Sequence, residues 1–225
     1  MKTPGLIVVG IAGGIACGKS EVAGRLVELG AVPLDADRAG HEALEAADVR
    51  AALRARWGGD VFRVDGSVDR QAVAARVFVS ADTAGDRSAV EADRKFLEQW
   101  THPRIERILE RRLREEIERS GGGSSPRVAV LDAALLLEAG WDRFCDEIWF
   151  VESPESSRRE RAAARGWTED EWRAREAAQW PLADKRRRAQ RILENTGSKS
   201  ALREQVDAWW VRRVGSEPAP TAGSR

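Results

Sequence analysis

The stretch GGIACGKS, Gly13 to Ser20, has the spacing Gly13-x-x-x-x-Gly18-Lys19-Ser20. Its glycines let the backbone curl, so that successive N–H groups from about Gly14 to Ser20 point inward at one anion. A helix read from Ser20 adds the positive end of its dipole. Lys19 brings a cation to the β- and γ-phosphates, and the Ser20 hydroxyl can ligate Mg²⁺. Flanked by an apolar strand and an amphipathic helix, this pattern holds a nucleoside triphosphate. Two more sets of residues could act on the phosphate. Asp35 and Asp37 stand where VPLDAD leaves the sheet, at the carboxyl edge where open α/β folds bind ligands. One of them is equally suited to cap the helix that follows. Late in the chain, RRERAAARGW sets Arg161 and Arg165 four apart on one expected helix face, a spacing that could clamp a phosphoryl group. Lys185 to Arg188 read as a solvated basic surface.

These residues need a frame. Residues 6–12 are a continuous apolar run of buried-strand length, bounded by glycines. In SEVAGRLVELG, Val22, Leu26 and Leu29 keep helical spacing, and Gly30 suits the end of that helix. AVPLDAD reads as a second strand and residues 38–56 as helix. DGSVDRQAVAARVF reads as a turn at Asp65-Gly66 and a helix near Arg70–Phe78. Residues 88–119 read as one long charged helix with Ile105, Ile108, Leu109, Leu113 and Ile117 on a single stripe. SGGGSSP, 120–126, reads as a flexible loop. RVAVLDAALLL, DEIWFV and RILEN read as strands, residues 154–189 as arginine-rich helices, and SALREQVDAWWVRRV as a closing helix. Strands alternating with helices imply a parallel sheet with helices on both faces.

Composition narrows the partners. Lysine plus arginine equals aspartate plus glutamate, 37 each, so there is no basic surplus for general nucleic-acid binding. No apolar run approaches the ~20 residues that cross a bilayer, and no signal peptide is read. Two cysteines, Cys17 and Cys145, give neither metal spacing nor a disulfide framework, which suits a reduced cytoplasm. His41 reads as a surface residue, and His102, just before Pro103, as a helix cap or a substrate contact. The nine tryptophans and absent tyrosine suggest no function. Oligomeric state is not legible.

Three fates for the triphosphate can be compared. A GTPase switch calls for Asn-Lys-x-Asp and Asp-x-x-Gly, and the sequence has neither at the expected places. A mechanical ATPase stays open, since VAVLD, ending at Asp132, has the form of an apolar strand closed by a magnesium-binding aspartate. A small-molecule kinase, of nucleosides or nucleotides among others, calls for a carboxylate at the second strand's end and a late arginine-bearing lid. Both are present.

At this point the residues resemble a family, the dephospho-coenzyme A kinases, over roughly residues 6–213. The resemblance is carried by GIAGGIACGKSEVA, LGAVPLDADRAGHE, GGDVFRVDGSVDRQAVAARVF, HPRI, LDAALLLEAGWDRFCDEIWFV and ENTGS. It implies transfer of the ATP γ-phosphate to the ribose 3′-hydroxyl of dephospho-coenzyme A, with Mg²⁺. It implies a P-loop kinase fold, a five-stranded parallel sheet flanked by helices. Residues 1–214 then form one kinase domain. Its core is 5–37, 127–153 and 190–214, its helical substrate-binding part 38–120 and its lid 154–189, and a disordered tail, 215–225, follows. Carried over residue by residue, Asp37 is the candidate base and Arg161 the lid arginine, acting with Lys19. The loop Gly13, Gly14, Ile15, Ala16, Cys17, Gly18, Lys19, Ser20 and Glu21 binds phosphates, and Asn195 and Gly197 lie beside adenine.

The sequence departs from the family pattern at Ala12, at Ala16 and Cys17 (a Gly-Ser pair), at Glu21 (a threonine) and at Ala134 (a proline). Pro154 to Arg161 is one residue longer than usual, which leaves Arg158, Arg159 and Arg165 as alternative lid arginines. Cys17 lies near a helix N-terminus and a lysine, both of which favour a reactive thiolate. A side chain turned into the protein would make it inert.

Overall fold

The computed structural model describes residues 5–77, 87–120 and 126–215. Its central strand, β1 (Leu6–Gly13), is apolar along its length because both faces are covered. Leu6, Val8 and Ala12 face one core, while Val9 and Ile11 face the other. Around it run α1 (Lys19–Glu28), β2 (Val32–Asp35), α2 (Ala36–Leu44), α3 (Ala47–Trp57), α4 (Arg70–Val77) and α5 (Arg87–Ser120). Then follow β3 (Arg127–Asp132), β4 (Glu147–Glu152), α6 (Glu155–Ala163), α7 (Glu169–Ala177), α8 (Leu182–Arg188), β5 (Arg191–Glu194) and α9 (Lys199–Val214).

The sheet has five parallel strands in the order β2-β3-β1-β4-β5, the architecture the sequence implied. The connections out of β1 and out of β3 leave in opposite directions, which opens a crevice at their carboxyl ends. Register brings Asp35 beside Asp132 at that edge and Gly13 beside Val151.

Helices α2 and α5 cover one face, with Leu34, Leu109, Leu131 and Phe150 in the core beneath them. Helices α1 and α9 cover the other, over Val9, Leu26, Trp149 and Val206. A separate core joins α3 and α4 to the first half of α5, through Leu53, Trp57, Val61 and Val73 with Phe96 and Trp100 against them. The second half of α5 lays Ile105, Leu109 and Leu113 on the sheet core, the expected stripe. One helix thus belongs to two cores. Pro103, which has no N–H to bond back along the helix, lies between its two halves.

Several sequence readings are corrected. The helix read over 38–56 is broken into α2 and α3 at Glu45-Ala46. AVPLDAD ends as a strand at Asp35, and Asp37 lies in the first turn of α2. RVAVLDAALLL is a strand only to Asp132; beyond it the chain turns, and Leu136 and Leu137 drop into the core. His102 caps no helix, being inside α5 with its ring edge-on to Trp141 at 5.5 Å between centroids. Burial holds its imidazole below the ordinary histidine range, with Glu98 pulling the other way. Phe78, most of the loop 120–126 and the tail beyond Gly215 lie outside the described residues.

The tryptophans acquire a structural account. Glu147 Oε2 accepts the indole N–H of Trp149 at 3.0 Å and of Trp209 at 3.1 Å. The two rings meet edge-to-face at 4.7 Å, and Trp209 contacts Trp210 at 6.5 Å. A single carboxylate thus lets two buried indoles join β4 to α9. Glu147→Ala would strand both donors and is expected to cost about 2–3 kcal/mol in chemical denaturation followed by tryptophan fluorescence. Glu147→Gln, which keeps a carbonyl acceptor, should lose clearly less.

Candidate active site

The loop after β1 is held in shape by contacts from within the chain. Gly13 has φ of 151° and Gly18 a φ of 106°, and Gly18 precedes the first residue of α1. A side chain at Gly18 would run into Asn195 Nδ2. Lys19 folds back along the loop, its Nζ donating to the carbonyls of Gly14 at 2.9 Å and Gly13 at 3.2 Å. Asn195, just past β5, donates from Nδ2 to the Cys17 carbonyl at 2.8 Å and from its own N–H to the Glu152 carbonyl at 2.7 Å. Ala16 has φ of 58°, the only positive φ of a non-glycine among the described residues. That conformation costs about 1–2 kcal/mol. The buried Ala16 methyl, packed with Ala162 and Trp172, offsets part of it, at about 0.8 kcal/mol per buried carbon.

A carboxylate group faces this loop. Asp35 caps α2, its Oδ1 accepting the Arg38 N–H at 2.8 Å, which leaves Asp37 uncommitted to the cap. Arg112 from α5 donates to the Asp35 carbonyl at 3.2 Å and pairs with Glu42. Loss of hydration around Asp37 raises its carboxyl above the ordinary aspartate range; the charge of Asp35 adds to this, and His41 and Lys19 oppose it. Asp132, beside Asp35 in register, is raised mainly by burial, with Lys19 pulling it back. One lysine and three aspartates therefore share an electrostatic neighbourhood at the crevice. Sequence reading had noted Asp132 only as the mark of an ATPase strand; the strand register makes it a neighbour of Asp35.

The arginines of the segment expected as a lid separate. Helix α6 ends at Ala163, so Arg165 lies in the following turn, exposed, and does not share a helix face with Arg161. Arg161 reaches the loop, its Nη1 donating to the Ala16 carbonyl at 3.2 Å and to Ser153 Oγ at 2.9 Å. Arg159 faces Glu155 and Glu169 instead. Arg158, one of the alternatives, is buried against Gly14 and paired with Glu176 of α7. Nothing in the sequence marked Glu176. Lys185 is corrected most sharply: it is 2% exposed, not on a solvated surface, with Nζ 2.8 Å from Glu138 and 2.7 Å from Gln179 Oε1. Burial holds its ammonium below the ordinary lysine range, against the pull of Glu138. Arg186 to Arg188 are exposed and paired with Glu152, Asp184 and Asp142.

On the side of α9, Glu21 accepts from Arg203 Nε at 2.7 Å and pairs with Lys199 at 3.3 Å. Arg203 foremost holds its carboxyl below the ordinary range. Gly197 lies in the exposed turn between β5 and α9 with open space where a side chain would be. Ser20 is exposed in the first turn of α1. Among the described residues no group of three acidic, histidine or cysteine side chains is placed to hold a metal alone. No helix among them is long and apolar enough to cross a membrane.

The pattern of the family described as dephospho-CoA kinase matches residues 7–201. A dephospho-CoA kinase of Symbiobacterium thermophilum is 40% identical over 220 residues, covering 96% of this chain and 86% of the relative. One from Geobacter sulfurreducens is 37% identical, with coverage of 92% and 98%. A crystal structure of a Thermus thermophilus protein superposes with a TM-score of 0.69 at 34% identity, covering 94% of this chain and 98% of the other.

The Cys17 thiol corrects the expectation of a reactive residue. It is 1% exposed, packed with Ile11 and Val22, and a Cβ on Gly13 would lie 2.5 Å from its sulfur. Only its backbone faces the loop. Cys145 is partly exposed, with its sulfur against Gly10, and burial first, then Asp142 and Asp146, push its thiol well up. Neither cysteine of the native protein should react with a neutral-pH thiol reagent, with or without ATP, while both should label in denaturant. Peptide mapping by mass spectrometry checks this, and rapid native labelling at Cys17 would contradict it.

Proposed function

The chain belongs to the dephospho-CoA kinase family, and from that membership and the site's geometry we infer how its residues divide the work. The chain transfers the γ-phosphate of ATP to the ribose 3′-hydroxyl of dephospho-coenzyme A, giving coenzyme A and ADP. The observation that carries our assignment of roles is the placing of Asp35, Asp37 and Asp132 at the carboxyl edge of the sheet, where β1 runs into the Lys19 loop. Phosphoryl transfer needs little covalent chemistry from a protein; it needs positioning and fixed charge.

The backbone from Ala16 to Glu21 wraps the phosphates, and Lys19 neutralises charge growing on the β–γ bridge. Asn195 and Gly197 lie beside adenine, and Arg161 serves as the lid cation at the Ala16 turn. Asp37 takes the proton of the 3′-hydroxyl. Its raised carboxyl makes it a stronger base than a free aspartate, so activity should fall as pH drops through that raised value. Residues 38–120 hold the acceptor and 154–189 form the lid, around a core of 5–37, 127–153 and 190–214. Mg²⁺ fits the donors present: the exposed Ser20 hydroxyl offers oxygen, and this ion needs few protein ligands when phosphates supply the rest. When bound it supplies neutralising charge across the β- and γ-phosphates.

A coupled ADP-release assay with dephospho-coenzyme A, adenosine and water as acceptors tests the reading. Dephospho-coenzyme A should be strongly preferred; equal release with water alone would point to an ATPase. Lys19→Ala is expected to lose ~3–4 kcal/mol of transition-state stabilisation with the fold intact by circular dichroism. Asp37→Asn should lower kcat about 10²–10⁴-fold. The same change should stabilise the fold. A carboxyl raised in the folded state costs stability above its folded pKa, and that cost vanishes below the unfolded one. Asp37→Asn should therefore raise Tm at neutral pH, with the gain disappearing as pH falls below the ordinary aspartate range. A normal kcat here, with a crippled Asp35→Asn, would move the base to Asp35.

A further inference from the structure

Glu176 reaches the phosphate loop from α7. Its Oε2 accepts the Ile15 N–H at 3.0 Å, and its Oε1 pairs with Arg158 Nη1. A loop of this kind offers its N–H groups to anions, and here one of them already has an anion. Arg158 is 4% exposed, and its Nε is buried with no hydrogen-bond partner among the described residues. Its guanidinium lies so close to the loop that a Cβ on Gly14 would sit 2.6 Å from Nη1. Trp172 backs it at 5.4 Å and fixes its plane. A backbone N–H and a preorganised guanidinium converging on two oxygens of one carboxylate have the donor set of a phosphate site.

We propose that the Glu176 carboxylate is an internal stand-in for the terminal phosphate of the nucleotide, and that the Ile15 N–H and Arg158 become that phosphate's partners when it arrives. This rests on the reading that a nucleoside triphosphate enters the loop. The Glu176 carboxylate holds the Ile15 N–H and one arm of Arg158, and a phosphate set beside it would meet its charge, so the triphosphate binds by displacing Glu176. A nucleoside diphosphate ends short of that position and binds with Glu176 in place. Glu176 thus sets the preference between substrate and product nucleotide, and Arg158 passes from a carboxylate to the transferring group. An anchor that merely tied α7 to the loop would act on both nucleotides alike.

The test is calorimetric titration of the full chain with ADP and with the non-hydrolysable β,γ-imido analogue of ATP. Glu176→Gln keeps the shape and an acceptor for the Ile15 N–H but removes the charge. It should bind the triphosphate analogue about tenfold tighter, with ADP affinity within twofold of wild type. Equal shifts for both nucleotides, or a triphosphate affinity unchanged or weakened, would overturn the proposal. Arg158→Lys, which keeps the charge and loses the fork, gives a second reading that does not depend on how Glu176→Gln folds. It should weaken the triphosphate analogue several-fold and leave ADP unchanged, and an unchanged triphosphate affinity would overturn the role of Arg158. Failure of wild-type protein to bind either nucleotide would overturn the triphosphate reading itself, an outcome distinct from the others.

Discussion

A backbone that is to present N–H groups to a ligand must first dispose of its carbonyls. The loop from Gly13 to Gly18 does this with side chains drawn from three parts of the chain. Lys19 takes the carbonyls of Gly13 and Gly14, Asn195 takes that of Cys17, and Arg161 takes that of Ala16. With these acceptors tied down, the curvature of the loop is held by the chain itself, and its N–H groups are left to turn toward an anion. The strained Ala16 turn and the close approach of Asn195 to Gly18 follow from the same requirement. The glycine-rich spacing makes the curve possible, but β5 and α6 hold it.

The opposite edge of the crevice has the reverse problem. Asp35, Asp37 and Asp132 repel one another, and Asp37 and Asp132 are held above their ordinary range. Such a cluster is unfavourable unless cations face it. Lys19 is the cation placed against it, so one side chain organises the loop and also tempers the carboxylates. The arrangement sacrifices stability to keep a raised carboxyl, Asp37, at the edge of the sheet that carries the glycine-rich loop.

Features set by local chemistry were legible in the sequence. The phosphate loop declares itself by spacing, the strands by apolar runs of the right length, and the long helix by its stripe at Ile105, Leu109 and Leu113. Features set by where a chain segment lands were not. Lys185 sits in a run of four basic residues and looked solvated, yet the last turn of α8 turns it onto Glu138 of another segment. Cys17 was near the right charges, but the loop's curl aims its side chain at the core. Arg161 and Arg165 kept helical spacing in a helix that ends between them. Glu176 pairs across a separation of 161 residues with a backbone N–H, and no local pattern announces that. Asp132 was readable as a strand-end carboxylate, and only the register with Asp35 gave it neighbours.

Helix α5, shared between two cores, has a mechanical consequence. At 1.5 Å per residue its 34 residues make a rod about 50 Å long. One arm is fixed through Phe96 and Trp100 among Trp57, Val61 and Val73, and the other lies on the sheet. Pro103 leaves the hydrogen-bond ladder one rung short between them. Through Arg112 the sheet-side arm also grips the carbonyl of Asp35, at the start of the turn that carries Asp37. A rod held this way is a lever with its fulcrum inside the protein. A tilt of ten degrees about its middle would displace each end by about 4 Å and the Arg112 position by about 2 Å, so the two cores and the aspartate turn cannot shift independently of the rod.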